Sequence, residues 1–150
     1  MAVKKMNSEG IPCKLYIFGR KYPGNEEIEE TDYIQYCGHM DKTPYYERLD
    51  HISCFVMNSE VESFGLVAAD ALNCNCSLLM SQNVGARSIM KTEDCDIIQR
   101  PHDVDEIVEK LKYIFEHPNS NRLYESIDMQ ACSERSSFQR LDAIVEGAIK

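Results

Sequence analysis

Glu62 and Asp70 are the residues that could do chemistry together. They stand eight positions apart in Ser59-Glu60-Val61-Glu62-Ser63-Phe64-Gly65-Leu66-Val67-Ala68-Ala69-Asp70-Ala71-Leu72, with a glycine at what reads as a helix start. Glu62 then falls just before the helix, and the amides of Phe64, Gly65 and Leu66 are among the first-turn donors that lack an intrahelical partner. Such amides, aided by the helix dipole, suit an anion or a sugar hydroxyl. Gly65 has no Cβ, so a ligand can approach the backbone there. Asp70 lies roughly 9 Å along the axis from Phe64, and its Cα–Cβ bond tilts back toward the N-terminus. Both carboxylates can therefore address one ligand. The competing reading makes Glu62 a dipole partner and Asp70 a solvated residue on a polar helix face.

The elements that must position this pair follow from hydrophobic pattern and turn residues. Lys14 to Phe18 reads as a strand bounded by Ile11-Pro12 and Gly19, and Tyr22-Pro23-Gly24-Asn25 as a turn before an acidic helix over Glu26 to Glu30. Tyr33 to Tyr36 reads as a second strand closed by Gly38. Thr43-Pro44 starts a helix over Tyr45 to Leu49, and Ile52 to Met57 is a nearly continuous apolar strand. Ser77 to Ser81 and Asp96 to Ile98 supply two more strands. Asp103 caps a helix whose Val104, Ile107, Val108, Leu111, Ile114 and Phe115 form one apolar stripe, ended by His117-Pro118. Residues 120 to 150 add one or two helices, with Leu123, Ile127, Leu141, Ile144 and Val145 as buried positions. Continuous apolar strands separated by helices indicate an α/β fold, a doubly wound, Rossmann-like parallel sheet with helices on both faces, in a single domain. In such sheets a ligand sits beyond the carboxyl ends of the strands. Gly19, Gly38, Ser59, Glu62 and Gly85 all follow strands and converge on that edge.

Composition narrows the function. At 150 residues the chain can build one sizeable core. A net charge of −9 argues against nucleic-acid binding, which demands a basic surface. The seven cysteines are dispersed through core and helix positions and read as reduced packing residues; no zinc-type spacing is present, so no metal is expected. No segment approaches the roughly 20 apolar residues of a spanning helix. A cytosolic setting follows.

The run Glu62-Ser63-Phe64-Gly65-Leu66 through Asp70-Ala71-Leu72-Asn73-Cys74 resembles the Glu-x7-Glu segment of retaining, nucleotide-sugar-dependent glycosyltransferases of GT-B architecture, the group 1 family. Lys14-Leu15-Tyr16-Ile17-Phe18-Gly19, Ile34-Gln35-Tyr36-Cys37-Gly38 and Ser77-Leu78-Leu79-Met80-Ser81 with Gly85 agree in order and spacing, and the likeness covers about residues 11 to 118. A GT-B enzyme uses two Rossmann-like domains facing across a cleft. The resemblance therefore implies that residues 1–150 are the C-terminal donor-binding half, with the N-terminal acceptor domain and the first strand absent or supplied by a partner chain. Any peripheral membrane contact is left to that missing part.

The resemblance implies hexosyl transfer from a nucleoside diphosphate sugar such as a UDP-sugar, without metal or other cofactor, and inactivity of this half alone. Glu62 is the implied catalytic residue, contacting the donor sugar. The amides of Phe64, Gly65 and Leu66 would serve the sugar hydroxyls and diphosphate, Asp70 the ribose, and the segment after Gly38 the base. Gly19, His39, Ser59 and Arg87 complete the implied donor site, Arg87 as a phosphate partner. Arg20 and Lys21, His51, His102 and His117 have weaker claims. The Arg and Lys pair by which the family neutralises the leaving diphosphate precedes this point and has no counterpart here. Asp70 replaces the usual Glu, Asn75 and Ser77 the usual Gly and Pro, and Ser88 a common Glu. The alternative is a non-catalytic domain that kept the fold and binds a nucleotide or a protein. In either case, the face opposing the missing half should carry exposed apolar residues.

Overall fold

Ser77-Leu78-Leu79-Met80-Ser81 is apolar between its serine ends, and in the computed structural model, which describes residues 1–21 and 29–128, all five residues are buried. This strand is the centre of the fold. In chain order the elements are α1 (Ala2–Ser8), β1 (Leu15–Phe18), β2 (Ile34–Gly38), α2 (Lys42–Leu49), β3 (Cys54–Met57), α3 (Leu66–Asn73), β4 (Ser77–Ser81), β5 (Ile97–Ile98), α4 (Val104–Glu116) and α5 (Ser120–Glu125). Alternation along β4 divides the core in two. Leu78 and Met80 join Met57, Ala68, Ala71 and Leu72 on one face, and Leu79 joins Met6, Ile98, Val108, Leu111 and Ile114 on the other. Helices thus cover both faces, as expected for a Rossmann-like fold.

All strand pairs are parallel. β3, β4 and β5 form one sheet, with Phe55 opposite Leu78 and Met80 opposite Ile97, and β1 with β2 form a second sheet. No strand among the described residues lies between β1 and β3, so the pairing stops at both. The expected turn at 22–25 and most of the acidic helix at 26–30 lie outside the described residues, as do Leu141, Ile144, Val145 and Cys132. Phe115 departs from the expected core stripe and stands 41% exposed. The other six cysteines are free.

Two departures from the family pattern find local reasons. Asn75 adopts φ 57°, the left-handed conformation that asparagine tolerates better than most side chains, and its Oδ1 accepts from Ser120 Oγ at 2.9 Å. Ser77 Oγ accepts from the Asn119 amide at 3.2 Å.

A buried polar network fixes α5 against the sheet. Asp96 is fully buried and accepts from Asn119 Nδ2 at 2.7 Å, from the Glu93 amide at 2.7 Å and from Arg122 Nη2 at 2.7 and 2.9 Å. Asn119 also receives the Leu78 amide at 2.9 Å and donates to the Leu78 carbonyl at 2.8 Å. Removing the carboxylate leaves the Glu93 amide without its acceptor and takes from Arg122 its shortest contact while Lys91 O and Glu93 stay within reach, so Asp96→Ala should cost about 1–3 kcal/mol in chemical denaturation. Asp96→Asn should recover part of that loss, and equal stability of Asp96→Ala and the parent would refute this role.

Candidate functional site

The chain leaves β3 at Met57 and turns through Ser59 before reaching Glu62. Ser81 Oγ donates to the Ser59 carbonyl, tying this turn to the end of β4. Glu62 then forms an isolated parallel bridge to Val84, with its amide on Asn83 O and its carbonyl accepting from the Gly85 amide at 3.1 Å. The next peptides pass directly over Gly85. A Cβ there would lie 2.0 Å from the Ser63 carbonyl oxygen and 3.0 Å from Phe64 Cα, so only glycine admits the crossing. The Ala86 amide closes it by donating to Phe64 O at 2.6 Å.

Gly65 has φ +85° and precedes α3 as its N-cap. The space expected there for a ligand is filled by protein: a Cβ would meet Met57 Cε at 2.6 Å and Glu62 Cγ at 3.3 Å. Close approach at Gly65 therefore serves backbone conformation and packing. The half-buried Glu62 bends back so that its Oε1 accepts from the Phe64 amide at 3.3 Å. No side chain caps α3, and among the described residues the amides of Gly65, Leu66 and Val67 have no protein acceptor. A carboxylate and three free donors thus stand together at the positive end of a helix. Beside them Val61 and Leu66 are 88% and 72% exposed.

Asp70 is half-buried one turn into α3, and Tyr46 donates its phenol to Asp70 Oδ1 at 2.7 Å. Sequence reasoning placed Tyr46 in a helix but missed this contact; an aromatic hydroxyl midway along a helix that follows a site strand was the available signal. Tyr46 packs on Tyr45, and Tyr45 stands edge-on to Phe18, each at 5.6 Å between ring centroids. An aromatic chain therefore runs from the end of β1 across α2 to Asp70.

Gly19 and Gly38 end β1 and β2 with positive φ, and the Gly19 amide donates to Gly38 O at 2.9 Å. His39 follows, exposed. These three residues belong to the two-stranded sheet, whereas Ser59, Glu62, Phe64, Gly65, Leu66, Asp70 and Arg87 belong to the three-stranded one. Arg87 lies in a 3-10 turn over Gly85–Ile89, where its Nη1 donates to Gln82 O at 2.5 Å and its buried Nε has no partner among the described residues. His102 pairs with Glu60 at 2.9 Å on the surface. Burial pushes the Cys54 and Cys76 thiols up to about 12 and about 11, which keeps both protonated and unreactive near neutrality. Among the described residues no His, Cys, Asp and Glu side chains cluster to hold a metal ion, and no helix is long and apolar enough to cross a membrane.

Comparison with known proteins is consistent with this arrangement. Residues 1–130 match the family described as glycosyl transferases group 1. Sucrose-phosphate synthase from Thermosynechococcus elongatus superposes with a TM-score of 0.65 at 18% identity, over 95% of this chain and 42% of that one. HepE from Anabaena superposes in its complex with UDP and glucose (TM-score 0.56, 11% identity) and in its complex with UDP-glucose (0.54, 13%), each over 97% of this chain and 52% of that one. The chain thus spans about half the length of these neighbours. No curated protein matches it.

The tyrosine pair has a pH signature. Burial, then the Asp70 charge, raises the Tyr45 phenol to about 12, and the hydrogen bond to Asp70 raises Tyr46 above its ordinary value. Both shifts favour the folded protein while the phenols are protonated. Their contribution is complete below pH 10 and is lost as pH climbs through the raised values. Alkaline absorbance titration of the eight tyrosines should show a late component that Tyr45→Phe removes. Ionisation of all of them together near pH 10 would contradict the buried site.

Proposed function

Because the chain belongs to the glycosyl transferases of group 1, we propose that it is the donor-binding half of an enzyme that moves a sugar from a nucleoside diphosphate sugar to an acceptor with retained anomeric configuration. The observation that carries this reading is the bare N-terminus of α3, where the amides of Gly65, Leu66 and Val67 stand free beside the Glu62 carboxylate. Free helix-terminal amides stabilise a diphosphate through fixed dipoles, and an adjacent carboxylate can accept from sugar hydroxyls. The Phe64 amide, already bonded to Glu62, holds that carboxylate in place. Asp70 keeps Oδ2 for a ribose hydroxyl while Tyr46 occupies Oδ1. Gly38 and His39 line the base, and Arg87 brings positive charge to the departing phosphate. A UDP-sugar is the favoured donor, since HepE was solved with UDP and glucose and with UDP-glucose. No metal is needed in this scheme, because amides and a guanidinium supply the neutralisation.

A second reading, a non-catalytic domain that retains nucleotide binding, draws on two contacts: Tyr46 holds Asp70, and Gln82 engages Arg87. Both groups are committed within the protein before any ligand arrives.

Calorimetric titration with UDP and UDP-glucose, joined to a donor-turnover assay, separates the two. The chain should bind UDP weakly and transfer no sugar by itself. Glu62→Gln should weaken UDP-glucose more than UDP, and Asp70→Ala should weaken both. Each loss should be about 0.5–1.5 kcal/mol, up to about 3 for a bond to a charged group, or a few-fold to about a hundredfold in affinity. Asp70→Glu should bind as well as the parent or better. Parental binding of both ligands by all three variants would refute the paired-carboxylate site, and sugar transfer by this chain alone would refute the half-enzyme reading.

A further inference from the structure

Asp70 presents its two carboxylate oxygens unequally. Tyr46 donates its phenol to Oδ1 at 2.7 Å, whereas among the described residues Oδ2 has no donor. An ionised carboxylate can only accept, so the phenol supplies the proton and one oxygen of the fork is already engaged. The bond itself raises the Tyr46 phenol above its ordinary value, and the donor therefore stays protonated across the neutral range.

Packing holds Tyr46 where it stands. Its ring meets Tyr45 at 5.6 Å and 54°, Tyr45 meets Phe18 edge-on, and both tyrosines lie against the buried cluster that includes Leu49, Ala71 and Leu72. Aspartate is short, so a carboxylate bonded to a fixed phenol has little freedom to turn. A ligand hydroxyl gains little by displacing Tyr46, because it exchanges one neutral O–H donor for another at the same oxygen and leaves a half-buried phenol without its acceptor. Oδ1 stays with Tyr46, and Oδ2 is the acceptor that a ligand meets. Asp70 stands four residues after Leu66 on the same face of α3, one turn from the free amides.

A ribose offers two neighbouring hydroxyls, and a carboxylate with both oxygens open accepts one on each. We propose that Tyr46 is a positioning residue that makes Asp70 a one-oxygen acceptor, so that the chain reads a single ribose hydroxyl of its nucleotide and tolerates loss of the other. The inference rests on the donor-binding reading, with Asp70 at the ribose, and goes beyond it by stating what that subsite requires of the ligand. Tyr46 acts through Asp70 and sets how many hydroxyls the carboxylate can hold.

The test compares UDP, 2′-deoxy-UDP and 3′-deoxy-UDP by calorimetric titration of the whole chain. One deoxy nucleotide should bind within about twofold of UDP and the other at least about fivefold more weakly, the loss of one hydrogen bond to a charged group. Tyr46→Phe keeps the ring and opens Oδ1, so both deoxy nucleotides should then bind at least about fivefold more weakly than UDP does to the same variant. Asp70→Glu carries the carboxylate one methylene past the phenol and should spread the discrimination to both hydroxyls in the same way, which decides the matter if Tyr46→Phe folds poorly. Parental losses for both deoxy nucleotides, or for neither, overturn the inference while leaving the donor-binding reading in place, provided Asp70→Ala still weakens UDP. A pattern of selectivity that neither variant changes overturns it as well, since a tyrosine with a merely structural role alters stability and not which hydroxyl is read. UDP binding indifferent to Asp70→Ala overturns the reading of Asp70 at the ribose and this inference with it.

Discussion

The crossing of two backbone segments at Gly85 is the constraint on which the site depends. With the Ser63 carbonyl oxygen 2.0 Å from where a Cβ would be, the loop after β3 and the loop after β4 touch main chain to main chain. The hydrogen bonds from Gly85 to Glu62 and from Ala86 to Phe64 form only at that separation. They place Glu62 and fix the entry of the chain into α3. The left-handed Gly65, wedged among Met57, Glu62 and Val84, completes the turn into the helix whose first amides have no acceptor among the described residues. The apparatus around Glu62 is thus held by β3, β4 and two glycines, all within the better buried sheet.

The other half of the site is held differently. Gly19, Gly38 and His39 ride on a two-stranded sheet that supplies no residue to either buried cluster. Two-stranded parallel pairs have little stability of their own, and this one meets α2 through Phe18 on Tyr45, which packs in turn on Tyr46, and through Tyr16 under Arg48. The aromatic chain ends on Asp70, so the position of the second carboxylate is coupled to the sheet it does not belong to.

Much of this was legible in the sequence. The continuous apolar strands gave the parallel, doubly covered architecture, and Asp103 caps α4 through the amides of Asp105 and Glu106 as its residue type and position suggest. Glu62, Gly65 and Asp70 were found by spacing and by family resemblance, and their common placement around α3 follows. Their packing was not legible. Gly65 was read as room for a ligand, whereas its space belongs to Met57, because a sequence shows that a Cβ is missing but not what fills the gap. Tyr46 escaped notice since its contact with Asp70 spans two helices. Leu15 to Phe18 has the pattern of an internal strand, and pattern reports the burial a segment is suited to rather than the neighbours it has.

Asn119 carries one more consequence. β5 is only two residues long and pairs no earlier than Met80, so the Leu78 edge of β4 is completed by the Asn119 side-chain amide, which both donates and accepts as a peptide group does. The imitation depends on a nitrogen. Hydrolysis of that amide to a carboxylate, the ordinary ageing reaction of asparagine, would keep the shape while setting an anion against the Leu78 carbonyl and the buried Asp96. The folded core shelters this side chain from water, so the damage belongs to molecules that have already opened, and a molecule altered in this way is poorly able to close again.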